Sequence, residues 1–323
     1  MTVRLLWSLC RKCLLFSASL LILSLAVFYA ARLAPGDPLA SYYGDRVERM
    51  SADERARAEE RLGLHEPIHT QYLRWLGGAL KGEFGISFKY KTGVLDVISG
   101  RLVNTLLLGG GSLLLIFLLA LPLGIFCVRF EDRWPDRLLC RLGAAVSCVP
   151  EFWLSLALIL LFSVTLRIFP SSGAGQGTLD RLWHLVLPLS AVTAGHLWYA
   201  VFLVRGRLLE EVRMEYVLLA KSKGLSKAYI LFRHCLRNIL PSYLSLMAVF
   251  APHILGGTYV VEMVFSYPGL GALSYESARY RDYNLLMLLC ILTGGAVMLF
   301  GMLAQALGEL LDPRLKREGD SHG

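Results

Sequence analysis

Charged residues are scarce in this chain of 323 residues, and several long blocks contain none. They make up 18% of the sequence and apolar residues 55%, whereas a soluble domain has roughly 25% charged residues. Four blocks contain no Asp, Glu, Lys or Arg: Leu14–Ala31, Leu102–Val128, Trp183–Val204 and Leu285–Leu307. A soluble core would not gather its apolar residues in such runs, so the composition excludes an ordinary soluble protein.

Two further apolar blocks carry one acid each. Leu142–Leu166 contains Glu151, and Ile239–Met263 contains Glu262 near its end. All six blocks approach or exceed the length of about 20 apolar residues that crosses a bilayer as a helix. Because lipid cannot hydrogen-bond backbone groups, an open-ended span must be helical. The sequence therefore predicts an all-α polytopic membrane protein with six transmembrane helices.

Sequence patterns for ATP hydrolysis and for metal-dependent hydrolysis are also missing. No G-x-x-x-x-G-K-[ST] run occurs, and the glycines of Gly109–Ser112 lie in an apolar block without a lysine, which favours close helix packing. No H-E-x-x-H pair occurs either, although a membrane-embedded enzyme would need such a cluster of His, Asp or Glu. We therefore expect a non-catalytic chain without a cofactor.

Cysteines are few, and none of the seven lies in a predicted external connection. Disulfides form in oxidising compartments, so none is expected here. Cys10 and Cys13 make a lone C-x-x-C beside the first span. A redox or metal pair is one interpretation, but no second pair accompanies it, so the sequence predicts no metal site.

Positive charge follows the position of the connections between blocks. The net charge is +8, and eight basic residues lie in the fourth connection, about 205–238, against two each in the third and fifth. The positive-inside rule then places both termini in the cytoplasm. We expect contacts with membrane lipid and none with nucleic acid. Arg32 directly follows the first block, whose apolar run is longer than the roughly 7–15 residues of a signal peptide, so we interpret this block as an uncleaved anchor.

The first external connection has its own helical signals. Ser51 and Glu54 form a capping box, which predicts a helix that Gly63 ends. A second helix is predicted over Pro67–Leu80, along the outer membrane interface or packed over the pore mouth. We therefore divide the chain into residues 1–101, an anchor with two short external helices, residues 102–311, a five-helix core, and residues 312–323, a cytoplasmic tail.

The fourth connection is long and helix-prone. A solvated basic loop on the anionic inner leaflet is the simplest interpretation. Docking on a soluble partner is the alternative, because Val217, Leu218, Ala220 and Leu225 give the loop an apolar side. Gly224 interrupts the run, which indicates a turn or a close approach to a partner.

Proline, glycine and buried polar residues single out the fifth block as a pore or gating candidate. Pro252 removes a helix hydrogen bond, and Gly256 and Gly257 remove side-chain bulk, so the helix either gates or only kinks for packing. Polar residues in a membrane are costly and point to function by default. Those predicted inside or at the end of a span are Glu151, His196, His253 and Glu262.

The two histidines have two interpretations. Imidazole suits nickel, but His196 and His253 lie on separate spans and lack a ligand cluster, which favours hydrogen bonds across the helix bundle. Glu262 precedes a Tyr-Pro-Gly-Leu-Gly turn and is expected to order that turn. Glu151 follows Pro150 and is expected at a helix start, where an acid meets the positive end of the helix dipole.

Short motifs follow one another along the whole chain: Pro35-Gly-Asp-Pro38, Leu62-Gly-Leu64, Phe84-Gly85, Glu215-Tyr216, Ala220-Lys221, Lys223-Gly224-Leu225, Arg237-Asn238, Phe265–Gly271, Arg281-Asp282-Tyr283 and Asp312-Pro-Arg314. Each motif is weak, but their order and spacing together resemble the dipeptide/oligopeptide/nickel permease family of ABC importers. Tyr216 and Val217 stand where other ABC permeases have two alanines, and His234 where many have an aliphatic residue.

The resemblance implies the fold of a type I ABC importer transmembrane domain in the bacterial cytoplasmic (inner) membrane. Its implied partners are a second homologous permease, two cytoplasmic ABC ATPases and an external solute-binding protein. The implied ATPase-coupling loop comprises Glu215, Tyr216, Ala220, Lys221, Lys223, Gly224 and Leu225. The pore and gating candidates are Pro252, His253, Gly256, Gly257 and Glu262, and the external turn comprises Pro268, Gly269 and Gly271.

The substrate class stays open at this point. The family transports nickel, metal chelates, dipeptides or oligopeptides, and its binding proteins largely set specificity. Similarity at Phe84–Phe88, Val94–Asp96 and Pro150–Trp153 leans towards nickel-type members. A secondary transporter without an ATPase is the alternative function, but coupling acids would then be expected at mid-membrane, and four blocks have none.

Overall fold

The computed structural model describes residues 2–33, 38–61 and 63–311. Apart from one isolated β-bridge between Ile86 and Gly93, these residues form helices and their connections. Several residues singled out from the sequence lie outside this description: Pro35 to Asp37, Leu62, the side chain of Cys10 and the tail 312–323.

The described helices follow one another without a strand. They are α1 (Thr2–Leu33), α2 (Pro38–Tyr43), a 3-10 helix (Gly44–Arg49), α3 (Ala52–Arg61), α4 (Ile68–Ala79), α5 (Val94–Arg129), α6 (Trp134–Ser147), α7 (Glu151–Leu158), a π-helical segment (Ile159–Thr165), α8 (Thr178–Val212), α9 (Glu215–Ser222), α10 (Lys227–Tyr229), a second π-helical segment (Ile230–Cys235), α11 (Leu236–Gly257), α12 (Tyr259–Val264), α13 (Leu270–Arg279) and α14 (Tyr283–Leu311).

The four charge-free blocks each lie in one long helix: α1, α5, α8 and α14. In the described part of the chain, these four are long and apolar enough to cross a membrane, and a bent pair of helices raises the number to five. The all-α membrane fold is thereby confirmed, while the count of six spans stays a prediction.

The bent pair corrects the expectation of one continuous span over Leu142–Leu166. Trp134–Ser147 and Glu151–Thr165 meet at an angle of 103°. Pro150 lies at the break with extended backbone (φ −59°, ψ 143°) and lacks the N–H that would continue a helix. Glu151 is the only charged residue of the block Leu142–Leu166, so hydropathy alone does not reveal the bend.

The fifth predicted block, Ile239–Met263, is also divided. It falls on α11 and α12, which are separated at Thr258. Pro241 and Pro252 both lie inside α11, where each removes one backbone hydrogen bond. The prolines and the two glycines of this block therefore lie in one helix, α11, which ends at Gly257.

Contacts divide the chain into two compact units. The first takes the described residues of Met1–Asn104 and Gly269–Leu299, the second those of Thr105–Pro268 and Phe300–Gly323. In the first unit the capping box is confirmed: the Ser51 amide donates to the Glu54 carboxylate (2.9 Å), and the Glu54 amide donates to Ser51 Oγ (3.3 Å). Gly63, two positions after the last residue of α3, has φ +65°, as the predicted helix end requires.

Asp282 connects α14 to the segment before α5 inside the first unit. Its side chain is fully buried and accepts hydrogen bonds from the Lys89 amide (3.1 Å), the Leu285 amide (3.3 Å) and the Ser87 hydroxyl. The bond from Leu285 makes Asp282 the N-cap of α14. This one carboxylate therefore fixes the start of a long helix against the external segment.

A second carboxylate anchors α13 in the same unit. Glu276 accepts hydrogen bonds from Lys89 Nζ (2.5 Å) and from the Tyr90 hydroxyl (2.5 Å). Burial acts against ionisation, but these two donors hold the pKa of Glu276 below its ordinary value. Burial, together with the bond to Glu276, raises the pKa of Tyr90 to about 12.

Glycines let neighbouring helices approach α8 closely in the second unit. A Cβ atom built at Gly124 of α5 would lie 2.5 Å from the Val204 side chain, and one at Gly143 of α6 would lie 2.3 Å from the Trp198 ring. Both distances are too short for any side chain, so these positions require glycine for packing. α8 is thus the central helix of this unit, packed against α6, α7 and α11.

The close packing predicted for Gly109–Ser112 is confirmed at two of its residues. A Cβ at Gly111 would lie 2.9 Å from Leu189 Cδ1, and Ser112 is fully buried. Gly110, in contrast, has no atom of the described residues within 4 Å of its Cβ position. The run therefore turns one small face towards α8.

Candidate functional site

α9 forms the candidate coupling loop together with the turn that follows it. Val217 and Ala220 point into the core of the second unit and are 0% and 8% exposed. Their neighbours Leu218 and Leu219 are 61% and 57% exposed. One side of this short helix is thus anchored, and the other presents two leucines to its surroundings.

Gly224 ends α9 in a left-handed turn. Its φ is +79°, its amide donates to the Lys221 carbonyl (3.0 Å), and the Leu225 amide donates to the Ala220 carbonyl (3.2 Å). This pair of bonds is the Schellman motif, in which the left-handed residue is usually glycine. A Cβ at Gly224 would meet no atom of the described residues within 4 Å, so the backbone angle, and not crowding among these residues, requires glycine.

The other predicted loop residues lie around this turn. Glu215, Lys221 and Lys223 are exposed, Leu225 is 38% exposed and Tyr216 is half-buried. Ser226 then starts α10 by accepting a hydrogen bond from the Tyr229 amide (3.2 Å). The structure therefore gathers the seven predicted residues into one helix and its cap.

Tyr216 anchors α9 to the ends of α8 and α11. Its hydroxyl donates to Glu211 Oε1 (2.7 Å), which also accepts from Asn238 Nδ2 (2.7 Å). Burial and the bond to Glu211 hold the pKa of the Tyr216 phenol well above its ordinary value. Tyr216 therefore fixes the loop to α8 and α11.

A basic cavity of about 640 Å³ lies beside α9. It is lined by the turn between α5 and α6 on one side and by α9 and α10 on the other. The charged residues of its lining are Arg129, Glu131, Arg133, Lys221 and Lys227. The exposed surface of the loop therefore combines leucines with an excess of positive charge.

The pore and gating candidates lie at the end of α11. His253 and Gly256 are exposed, Pro252 is half-buried, and a Cβ at Gly256 or Gly257 would meet no atom within 4 Å. These glycines therefore make no close contact with the described residues of this chain, and their role in gating stays a prediction.

Glu262 is fully buried in α12. Its Oε1 accepts hydrogen bonds from the hydroxyls of Thr105 (2.8 Å) and Thr258 (3.1 Å), and its backbone carbonyl accepts from the Tyr267 amide (2.8 Å). Glu262 thus ties α12 to α5 and to the turn before Pro268.

The predicted external turn is divided between a turn and a helix. Pro268 precedes Gly269, which is the N-cap of α13, and Gly271 lies in the first turn of that helix. The turn itself therefore ends at Gly269, and Gly271 is a helical residue.

The intramembrane histidines are in different surroundings. His196 Nδ1 is hydrogen-bonded within α8 to the Val192 carbonyl (3.1 Å), and it lies 3.4 Å from Glu151 Oε1 at the start of α7. His253 is exposed on α11. Among the described residues, neither histidine belongs to a group of three possible metal ligands.

A buried polar cluster was not found from the sequence. Arg205 of α8 donates to both oxygens of Asp136, from Nε at 2.9 Å and from Nη2 at 2.7 Å. Asp136 is 2% exposed and also accepts from the Cys140 thiol (3.4 Å), and Cys127 lies beside both. The sequence holds no signal for this cluster, because its members come from three helices up to 78 residues apart, as the numbers 127 and 205 show.

A family described as binding-protein-dependent transport system inner membrane component matches residues 120–317, more than half of the chain. The chain belongs to this family. The permease is 31% identical over 312 residues to the oligopeptide transport system permease protein AppB of Bacillus subtilis (strain 168), covering 95% of this chain and 98% of that relative. It is 30% identical over 298 residues to the glutathione transport system permease protein GsiC of Salmonella paratyphi A, covering 92% and 95%.

A solved structure supports the same fold. The inward-facing MetNI methionine ABC transporter matches with a TM-score of 0.56 and 16% sequence identity, covering 68% of the permease and 97% of the matched chain. The protein is thus the membrane-spanning permease of an ABC importer in the cytoplasmic membrane, and the family supports this function over the secondary-transporter alternative. The family also implies a partner permease, an ATPase and a solute-binding protein as its general partners.

Proposed function

We propose that this permease and a second, similar but distinct permease form the translocation path of a peptide importer. Two cytoplasmic ATPases hydrolyse ATP, and an external solute-binding protein delivers the peptide. The names of the relatives support a peptide substrate, since one is named for oligopeptides and another for glutathione, itself a peptide. This proposal replaces the lean towards nickel, which rested on three short stretches of similarity.

The surface of α9 supports docking on the ATPase. Leu218 and Leu219 are exposed beside Lys221 and Lys223, while Val217 is held in the permease core. Burying an exposed leucine in a partner's apolar groove yields about 1.5–3 kcal/mol, so two adjacent leucines supply a substantial anchor. The ATPase groove is then expected to be apolar with an acidic rim.

The loop would transmit motion because both of its ends are fixed. ATP binding closes the ATPases, α9 moves with the groove that holds it, and the Tyr216–Glu211–Asn238 contacts carry the movement into α8 and α11. The ATPases must bind the two states of the helix bundle with different affinity, or ATP binding could not shift one state to the other.

The test of docking is a pair of matched glycine variants. Gly224→Arg places a bulky charge at the proposed contact. Gly82→Arg is the control, because Gly82 has φ +85°, the same pair of cap bonds (its amide to Ala79, the Glu83 amide to Gly78) and no atom within 4 Å of its Cβ position. Both variants carry similar backbone strain, so loss of ATPase co-purification in Gly224→Arg alone reports a contact with the ATPase.

Both variants are assayed for membrane insertion, for co-purification of the ATPase and for transport by the reconstituted importer. We expect Gly224→Arg to insert normally but to lose transport and ATPase co-purification, while Gly82→Arg retains both. Equal transport by the two variants would contradict docking at this turn.

The substrate class is tested separately by uptake in cells with and without the gene. A labelled dipeptide and a labelled oligopeptide are compared with labelled nickel, the nickel with and without histidine as a chelator. Loss of peptide uptake alone is expected. Loss of nickel uptake alone would overturn the peptide proposal without affecting the docking proposal.

A further inference from the structure

Two thiols and a carboxylate converge where α5, α6 and α8 meet. One ligand atom each from Cys127, Asp136 and Cys140 lie within 4.8 Å of one another. Cys127 is 1% exposed and Asp136 is 2% exposed, so two of the three ligands are almost inaccessible to water. The two cysteines come from the end of α5 and from α6, helices that are joined by a short turn.

We propose that Cys127, Cys140 and Asp136 bind a thiophilic divalent cation, with Zn²⁺ as the ion that this set of ligands suits best. Zn²⁺ takes thiolate sulfur at about 2.3 Å in tetrahedral geometry, which places neighbouring ligand atoms about 3.8 Å apart. The observed spacing is within about 1 Å of that value, a shift that side-chain rotation supplies. A water molecule completes the four ligands.

The donor atoms exclude the common alkaline-earth cations. Mg²⁺ and Ca²⁺ require six or more oxygen ligands, and this cluster offers a single carboxylate beside two sulfurs. Soft thiolate ligands select zinc, cadmium or copper(I) instead. A divalent ion is favoured, because its two charges balance the two protons that the thiols lose.

The hydrogen bonds of the cluster allow a cation to replace the two thiol protons. The Cys140 thiol now donates to Asp136 Oδ1 at 3.4 Å. When the cation binds, both thiol protons leave to solvent, two metal–sulfur bonds form, and the lone pair of Oδ1 that accepted from Cys140 becomes free to bind the metal. Arg205 stays on the carboxylate through Nε and Nη2 and holds it in place, as residues next to metal ligands commonly do.

A purely structural interpretation makes a different prediction. The Arg205 guanidinium and the Asp132 amide (3.2 Å) satisfy the Asp136 carboxylate without either thiol. If the ion pair were the whole function of the cluster, these cysteines would bind no cation, and serine at both positions would not change the cadmium band. The proposal requires that binding be lost.

The experiment uses the purified full-length permease with Cys10→Ser and Cys13→Ser already introduced, so that the N-terminal C-x-x-C contributes no sites. Cd²⁺ is the probe, because cadmium–thiolate bonds absorb in the near ultraviolet, and bound Zn²⁺ is then counted by elemental mass spectrometry. We expect about one ion per chain with two thiolate bonds. Cys127→Ser or Cys140→Ser should halve the cadmium band, and the double variant should abolish it.

Cys148→Ser is the matched control, since this exposed cysteine directly follows the same helix α6 and should leave the band unchanged. An undiminished band in the double variant would overturn the proposal. So would the absence of a band in the background protein, and that measurement does not depend on whether any further variant folds.

Discussion

Replacing Asp282 by alanine tests how the external segment is joined to α14. The buried carboxylate accepts from the Leu285 amide, the Lys89 amide and the Ser87 hydroxyl. Alanine removes all three acceptor contacts, and a water molecule reaches this site poorly because the side chain is fully buried. Asp282→Asn keeps one oxygen for the helix cap and replaces the other by an NH₂ group, which cannot accept from the Lys89 amide.

The magnitude follows from the three bonds. Loss of the N-cap costs about 1 kcal/mol. Each hydrogen bond to a charged group contributes about 1.5–3 kcal/mol. With the lower value for each of the two remaining bonds, we expect Asp282→Ala to lower the free energy of unfolding by about 4 kcal/mol. Asp282→Asn should lower it by about half as much.

The assay is thermal unfolding of the purified permease, followed by limited proteolysis of the external segment. The expected order of stability is wild type, then Asp282→Asn, then Asp282→Ala. Asp53→Ala is the control, because Asp53 is exposed in the first turn of α3 and should shift the midpoint little. If Asp282→Ala behaved like Asp53→Ala, or if asparagine were as damaging as alanine, the proposed join would be refuted.

Three further predictions concern packing, the loop and pH. Gly143→Ala should lower the free energy of unfolding by about 1–3 kcal/mol, because its methyl group overlaps the Trp198 ring. Gly100→Ala is the control: its methyl group meets no described atom within 4 Å, so the midpoint of thermal unfolding should not fall. Tyr216→Phe should lower stability by about 1 kcal/mol through the lost bond to Glu211, with intact insertion as the control. The pKa of Glu276 is lowered in the folded state, so its ionised form stabilises the fold. This stabilisation is fully present above the ordinary carboxyl pKa and is lost as the pH falls through the folded-state pKa. The unfolding midpoints of Glu276→Gln and wild type should therefore converge in acid.

The sequence predicted those features that depend on neighbouring residues. A charge-free run long enough to span a bilayer must form a helix there, and all four such runs do so. The Ser51–Glu54 capping box needs only three residues of separation, and both of its hydrogen bonds are observed. Short-range chemistry of this kind does not depend on how distant segments pack.

Features that need distant segments were missed. No sequence pattern indicates that Cys127, Asp136 and Arg205 lie together, because only the packing of α5, α6 and α8 brings them together. The bend at Pro150 was missed for a different reason: hydropathy treats Leu142–Leu166 as one span and reports nothing about helix direction. The helix start expected at Glu151 is nevertheless confirmed, since α7 begins there. Pro150 inside the block, followed by an acid suited to a helix start, is the signal that would have indicated the break.

The interpretation of Gly224 shows how the structure narrows a choice that the sequence leaves open. The sequence allowed either a tight turn or a close approach of another group. The φ of +79° and the two cap bonds establish the turn, and the open space at the Cβ position excludes crowding within the described chain. Any further requirement for glycine must therefore come from outside the described residues. The comparison of Gly224→Arg with Gly82→Arg measures that requirement, because the two turns share the same pair of cap bonds and a positive φ.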